Sequence, residues 1–248
     1  MRLLRAEVRK LTTVWTTAVL TVVGLLLVTV GAAFLVFESE FSGEFLGTDT
    51  QIADLLGQIG GMNVIALIVG LLSVTTEFRH RTIGRTLQLT PSRTRVVTAK
   101  MVVGAGYGVL FFLLGLVPIG LLLLVSGAEL DPGEQVVEAL WQGPVALALI
   151  AVFGVAIGAL LRSQVLAVAL TLVYVFLVES LFVQFLPAVG RWLPLQALNA
   201  MFVSEELLAT PGGAGLQLLE PTVGLAVFLA YCVVAAAAAI TLMRVRDV

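Results

Sequence analysis

Long runs without charge dominate this chain. Five of them enclose between 22 and 28 uncharged residues each. They lie between Lys10 and Glu38, Asp54 and Glu77, Lys100 and Glu129, Glu138 and Arg162, and Glu220 and Arg244. A sixth run follows Arg162 as far as about Leu186 and contains only Glu179. Because a helix needs roughly 20 apolar residues to cross the hydrocarbon core, the pattern predicts six transmembrane helices.

Composition excludes the other classes of fold. The chain is 59% hydrophobic and 12% charged, whereas a soluble domain carries about a quarter charged residues. Continuous runs such as VLFFLLGLV do not alternate as barrel strands do. The first run is also too long for a cleaved signal peptide. The sequence therefore predicts an all-α integral membrane protein without a separate soluble domain.

Charge orients the six spans. Lys and Arg collect in cytoplasmic loops, and with the N-terminus inside, every cation except Arg191 falls on the cytoplasmic side. Most acids fall outside, and only Glu7, Glu77 and Asp247 fall inside. Removing one span would destroy this asymmetry. We expect both termini in the cytoplasm, and the net charge of −2 gives no argument for a nucleic-acid partner.

These runs and their flanks divide the chain into predicted segments. They are an amphipathic interface helix over 1–10, spans over 11–37, 56–76, 99–127, 141–161, 163–186 and 221–243, a cytoplasmic loop over 77–98, and an outer re-entrant hairpin over 187–220.

The first segment, MRLLRAEVRKL, has Leu4, Val8 and Leu11 at helical spacing. Arg5 and Arg9 lie on another face. Two interpretations fit these cations. They either mark a positive flank that fixes topology, or they contact a cytoplasmic subunit.

The loop TTEFRHRTIGRTLQLTPSRTRVVTAK gathers six cations between two spans. Thr90-Pro91 is typical of an N-cap followed by a first-turn proline, so the third helix is expected to begin at Pro91. Before it, residues 82–89 are expected to form a short helix along the membrane surface. The dipole disfavours the two arginines, Arg93 and Arg95, in the first turn of the third helix. Lipid phosphates or acidic residues of another protein should therefore lie nearby.

The chain resembles the ABC-2 type permeases, membrane subunits of ATP-binding-cassette exporters of the type V-like class. The resemblance lies in RAEVRKLTT at the start, in EFRHRTIGRTLQLTPSRTRVVTAK, and in LVESLFVQFLPAVGRWLPLQALNA. Together with the six-span pattern it covers nearly the whole chain. It implies that the loop between the second and third spans carries a coupling helix that docks on a separate ATPase subunit.

The same resemblance implies the partners and the contact residues. The partners are two copies of the ATPase subunit, a second or homologous permease, and membrane lipid. The resemblance also implies that the membrane is the inner (cytoplasmic) membrane of a bacterial cell. The predicted ATPase-subunit interface consists of Arg5, Arg9, Glu77, Arg79, Arg81, Thr82, Arg85, Leu87 and Arg93.

ATP chemistry must reside elsewhere. A P-loop needs a lysine after its glycines, and neither of the chain's lysines, Lys10 and Lys100, has that context. The glycines of GAGYG (104–108) lie inside an apolar run, so we expect them to allow close helix packing. We expect the same of Gly120 and Gly154. The chain is predicted to be a non-catalytic subunit that binds no cofactor or metal, with ATP and Mg²⁺ held by the partner.

Three residues are candidates for the pathway or its outer gate: Glu179, Trp192 and Pro194. Glu179 lies about 25 Å along the fifth helix from Arg162, near its outer end. It either caps a backbone group or reaches outer water, or it lines the pathway. In each case it should face protein or a cavity, because lipid exposure of a charge is costly.

We expect an exporter of amphiphilic or hydrophobic cargo, such as a drug, antibiotic or lipid-like molecule. The alternative is a stand-alone channel or ion-coupled transporter, which usually carries more ionisable groups within its spans.

Overall fold

The computed structural model describes residues 2–42, 47–84, 88, 92–127, 129–202 and 217–245. Within these ranges every regular element is a helix. The elements are α1 (Arg2–Thr13), α2 (Trp15–Ser42), α3 (Asp49–Gly61), α4 (Asn63–Arg79), α5 (Arg93–Ser126), α6 (Glu134–Leu161), α7 (Gln164–Val173), a π-helical segment (Tyr174–Val178), α8 (Glu179–Phe185), α9 (Pro187–Gly190), α10 (Pro194–Asn199) and α11 (Pro221–Val245).

Six helices in the described part of the chain are long and apolar enough to cross a membrane. They cover Trp15–Glu38, Asp49–Arg79, Arg93–Ser126, Glu134–Leu161, Gln164–Phe185 and Pro221–Met243. This confirms the predicted all-α class and the number of apolar spans. The second combines α3 and α4, which meet at Met62 immediately after Gly60 and Gly61.

Helix α6 lies at the centre of the bundle and packs against α3, α4, α5 and α11. Its neighbour α4 is fully surrounded by protein over much of its length, and Leu67 and Leu71 are buried. By contrast, the long sides of α2 and α7 expose large apolar side chains, as membrane helices do toward lipid.

Glycines permit the close approach of α4 and α5 to α6. A Cβ at Gly108 would lie 2.1 Å from the backbone oxygen of Leu147, and a Cβ at Gly154 would lie 2.1 Å from that of Leu67. The packing role predicted for Gly108 and Gly154 is therefore confirmed. It is wrong for Gly120, and Gly106 of the same motif also faces open space, because both point away from the neighbouring helices.

The antiparallel helices give the bundle two chemically different ends. One end, here called the basic end, holds α1 and the segments around residues 77–84, 92–100, 161–164 and 243–245. Contacts across it include Arg93 to the Met243 oxygen and Arg162 to the Leu242 oxygen. The opposite, acidic end holds the segments around residues 47–54, 129–138, 186–202 and 217–221.

Several helix ends differ from the predicted segments. Helix α5 begins at Arg93, because the Ser92 hydroxyl accepts a hydrogen bond from the Arg95 N–H and forms the N-cap. The expected start at Pro91 therefore lies two residues too early. Helices α1 and α6 extend beyond the predicted 1–10 and 141–161, since helical backbone continues outside the apolar core.

The two predicted irregular segments are described in part. Between α4 and α5, Ile83 and Gly84 are helical, whereas residues 85–87 and 89–91 lie outside the described residues. In the 187–220 region, α9 and α10 are short helices and residues 203–216 lie outside the described ranges.

Candidate functional site

Four charged side chains meet at the basic end and form what we call the four-charge cluster: Glu7, Lys10, Glu77 and Lys100. The Lys100 ammonium lies 2.7 Å from Glu7 Oε2 and 2.8 Å from Glu77 Oε1. The Lys10 ammonium lies 2.7 Å from Glu7 Oε1 and 2.8 Å from Glu77 Oε1. The cluster therefore connects α1, α4 and α5.

Three of the four side chains in the cluster are buried. Glu7, Glu77 and Lys100 are 4%, 6% and 3% exposed. Lys100 uses all three ammonium protons, because it also donates to the Ser73 carbonyl oxygen at 2.9 Å. Buried ions are tolerated when they are paired and their remaining hydrogen bonds are made, and two acids against two lysines leave the cluster without net charge.

Lys10 closes the cluster at its more exposed side. Partial burial acts to lower the pKa of Lys10, but the hydrogen bonds and negative charges of Glu7 and Glu77 outweigh it. The pKa of Lys10 is therefore raised above its usual value, so this lysine stays charged at every physiological pH.

Sequence reasoning did not find the cluster. It treated Lys100 as one cation of a basic loop and Glu77 as a contact to another protein. The available signal was the scarcity of acids at this end: Glu7 and Glu77 are two of only three acids predicted to lie there. Their pairing with Lys100 depends on how α1 packs against α5, which periodicity does not reveal.

Helix α1 has three faces rather than two. Leu4 and Val8 are exposed, Arg5 and Arg9 are exposed on a second face, and Glu7 with Lys10 faces the bundle. A cavity of about 360 Å³ lies beside the cluster, and its wall includes Leu11, Val14, Leu72, Thr76 and Val103.

Most residues of the predicted ATPase-subunit interface lie at the basic end, in three different settings. Arg5, Arg9, Arg79, Arg81 and Thr82 are exposed, and Arg79 donates to the Gln164 side-chain oxygen at 3.3 Å.

Two other predicted interface residues face the protein. Glu77 belongs to the buried cluster, and Arg93 is half-buried and donates to the Met243 carbonyl oxygen at 2.9 Å. Arg85 and Leu87 lie outside the described residues. The structure thus brings Glu77 together with α1 and leaves the exposed arginines directed outward.

Arg81 ends the loop's first turn with an unusual backbone. Its φ is 54°, in the left-handed region that non-glycine residues rarely adopt. Its N–H donates to the Phe78 carbonyl oxygen at 3.2 Å, and the Thr82 N–H donates to the Glu77 oxygen at 2.9 Å. These bonds turn the chain sharply after α4, so that Arg81 projects from the bundle.

Glu179 is 1% exposed and lies at the junction of the π-helical segment and α8. Its Oε1 accepts a hydrogen bond from the backbone N–H of Gln196, at 2.9 Å, in the first turn of α10. Burial confirms the expectation that Glu179 faces protein or a cavity. The contact corresponds to the backbone-capping alternative, while a role in the pathway stays a prediction.

Pro194 is brought next to Glu179, and Trp192 is not. Pro194 is buried and opens α10, whose first turn donates the Gln196 N–H to the Glu179 carboxylate. Trp192 is 45% exposed, and its carbonyl oxygen accepts a hydrogen bond from the Tyr231 hydroxyl at 3.2 Å. That position suits a tryptophan at a membrane interface.

Two adjoining cavities open near Glu179 toward the acidic end. The first, here called the acidic cavity, has a volume of about 490 Å³, and its wall includes Asp54, Gln58, Asn63, Glu179, Asn199 and Phe202. Asn63 donates to the Asn199 side-chain oxygen across it at 2.9 Å. The second has a volume of about 510 Å³ and shares Asp54 and Phe202 with the first.

Among the described residues no three His, Cys, Asp or Glu side chains lie close enough together to hold a metal ion. A comparison of the sequence with models of known protein families found no match, and a search of curated proteins also found none.

Proposed function

We propose that this chain is the membrane-spanning permease subunit of an ABC exporter. ATP hydrolysis in a separate nucleotide-binding subunit would drive outward movement of an amphiphilic or hydrophobic cargo. Two copies of that ATPase, and a second or homologous permease, would complete the assembly in a bacterial cytoplasmic membrane. The charge asymmetry of the loops supports cytoplasmic placement of both termini.

One observation carries the proposal. Four exposed arginines, Arg5, Arg9, Arg79 and Arg81, surround the basic end beside a buried cluster that ties α1, α4 and α5. A partner that pushes on this surface would move three helices together, because the ion pairs join them. This is the arrangement that transmission from a soluble motor to membrane helices requires.

The cations also define the chemistry of the partner. Arginine forms bidentate hydrogen bonds with carboxylates, so the docking groove of the ATPase subunit should be acidic. The exposed Leu4 and Val8 on the neighbouring face of α1 are suited to the acyl boundary of the membrane. Helix α1 would thus lie between lipid and the partner.

The test is to purify the tagged full chain gently from its native membrane and identify proteins present in stoichiometric amount. A soluble subunit with a P-loop is the expected result. Arg79→Glu should then weaken its attachment while membrane insertion is kept. Arg95→Glu is the matched control, since Arg95 is an exposed cation of the same end outside the predicted interface.

A different result would favour the alternative. If the chain purifies without an ATPase and conducts ions or exchanges substrate without ATP in proteoliposomes, the exporter proposal fails. A stand-alone channel or ion-coupled transporter would then account for the six spans.

A further inference from the structure

The acidic cavity has a one-sided charge. Asp54 and Glu179 contribute carboxyl groups to its wall, and no Lys, Arg or His is among the described residues that line it. The adjoining cavity adds Glu138 and Glu220, again without a cation among its described lining. Such walls repel anions and attract cations.

Glu179 is incompletely hydrogen-bonded within this cavity wall. Oε1 accepts from the Gln196 N–H, but the buried Oε2 has no hydrogen-bonding partner in the described part of the chain. An unpaired buried carboxyl oxygen is costly. A hydrogen-bond donor completes it when the carboxyl is ionised, and a protonated amine donates while also neutralising the charge.

The backbone around the cavity departs from regular helix on two sides. The π-helical segment Tyr174–Val178 ends at Glu179, and the break between α3 and α4 at Met62 precedes Asn63. π-Helical segments occur frequently at functional sites. Broken membrane helices likewise mark substrate sites near the bilayer interior.

The remaining wall is apolar and the volume suits an organic molecule. Leu35, Val64, Phe176 and Leu218 line it together with Phe202. Cavities of about 300–1,000 Å³ hold drug-sized ligands. A bare metal ion is a poorer occupant, since the described residues offer no group of three carboxylate, His or Cys ligands.

We propose that the acidic cavity binds the protonated amine of an amphiphilic organic cation, with the Glu179 carboxylate as the anionic partner of the ammonium group. The amides of Gln58, Asn63 and Asn199 surround the polar head, and the apolar wall contacts the carbon skeleton. That this ligand is the transported cargo rests on the proposed function. That it binds rests on the cavity alone.

The test uses the full chain in nanodiscs of uncharged phosphatidylcholine and the fluorescent amine dansylcadaverine. Its N-acetylated form has the same dansyl group and chain but no charge. Saturable fluorescence enhancement is expected for the amine, with at least about tenfold weaker binding of the acetylated form.

Two variants locate the site. Glu179→Gln keeps an acceptor for the Gln196 N–H and removes the charge, so it should weaken amine binding at least about tenfold. Gln58→Lys leaves Glu179 and its contacts in place and adds a cation to the wall, so it should weaken binding similarly. Glu129→Gln, an exposed acid of the same end outside both cavities, should bind as the unmodified chain does.

Equal binding of the two probes would overturn the proposal, as would unaltered amine binding in Glu179→Gln. If Glu179→Gln does not fold, Gln58→Lys decides in the same way. The measurement needs no ATPase. If the chain purifies with an ATPase but does not bind the amine, the exporter proposal stands and the binding proposal fails. If it binds the amine but purifies without an ATPase, the binding proposal stands and the exporter proposal fails.

Discussion

Lys100 shows what a single buried charge does in this molecule. It is almost inaccessible and is bonded to Glu7, Glu77 and the Ser73 carbonyl oxygen. Its removal would leave two acids with only the partly exposed Lys10. The residue therefore joins three helices, and its effect on stability should be far larger than that of a surface lysine.

Replacing Lys100 with Met should destabilise the full chain by about 3–5 kcal/mol, because an uncompensated buried carboxylate remains. Arg95→Met removes the same charge from an exposed position of the same helix and should change stability by less than about 0.5 kcal/mol. Denaturant unfolding in detergent micelles measures both.

A second substitution separates lost pairing from lost packing. In Glu7→Gln combined with Lys100→Met, one of the two stranded acids is gone, so the double variant should be more stable than Lys100→Met alone. Equal stability of Lys100→Met and Arg95→Met would show that the cluster does not hold the helices.

At the level of elements, the close packing of α6 against α4 and α5 depends on glycines at the contact points. Backbone oxygens of Leu147, on α6, and Leu67, on α4, lie where a side chain on the facing helix would begin. Such contacts are allowed only at glycine, and the Gly108 and Gly106 pair of the same helix offers a direct comparison.

Gly108→Ala should destabilise the bundle by about 1–3 kcal/mol, because the added methyl group meets the Leu147 oxygen and must separate α5 from α6. Gly106→Ala should be neutral or slightly stabilising, since nothing lies within 4 Å of its Cβ position. Thermal unfolding of the two proteins in the same detergent tests this. An equal loss of thermal stability in both variants would contradict the packing role of Gly108.

The N-terminus of α6 is capped by a residue of another helix. Asp49 Oδ1 accepts from the N–H groups of Gly133 and Val136 at 2.7 and 3.0 Å, and Oδ2 accepts from that of Gln135 at 3.0 Å. Capping carboxylates satisfy N–H groups that the helix leaves unpaired. The cap fixes the start of α3 against the start of α6.

Asp49→Ala should lower the thermal midpoint, by less than Lys100→Met does, because the freed N–H groups can bond to water at this end. Asp131→Ala is the control, since Asp131 is exposed and, within the described ranges, bonds only through its backbone N–H, to the Gly47 oxygen. A midpoint for Asp49→Ala equal to that of Asp131→Ala would contradict the capping role.

For the whole molecule, the testable property is its orientation. Cys232 is the single cysteine of the chain, and Cys232→Ala removes it. In that background, Glu129→Cys at the acidic end should react with a membrane-impermeant maleimide in intact cells. Arg95→Cys at the basic end should react only after permeabilisation, because cations are retained inside. Labelling of Arg95→Cys in intact cells would reverse the predicted topology.

The sequence alone determined the helical class, the six apolar spans and the separation of basic from acidic loops. These are local properties, since the length of an apolar run and the sign of its flanking charges do not depend on what the helix packs against. It also indicated Glu179, because an acid within an apolar run stands out.

Tertiary structure alone decided the partners of these residues. Glu7 meets Lys100 across 93 positions, Glu179 meets Gln196, and Asp49 meets α6. Each contact depends on which helix faces come together, and packing selects those faces from many with equal hydrophobicity. For the same reason Gly108 and Gly106 look alike in sequence, and only the approach of α6 makes the first one necessary.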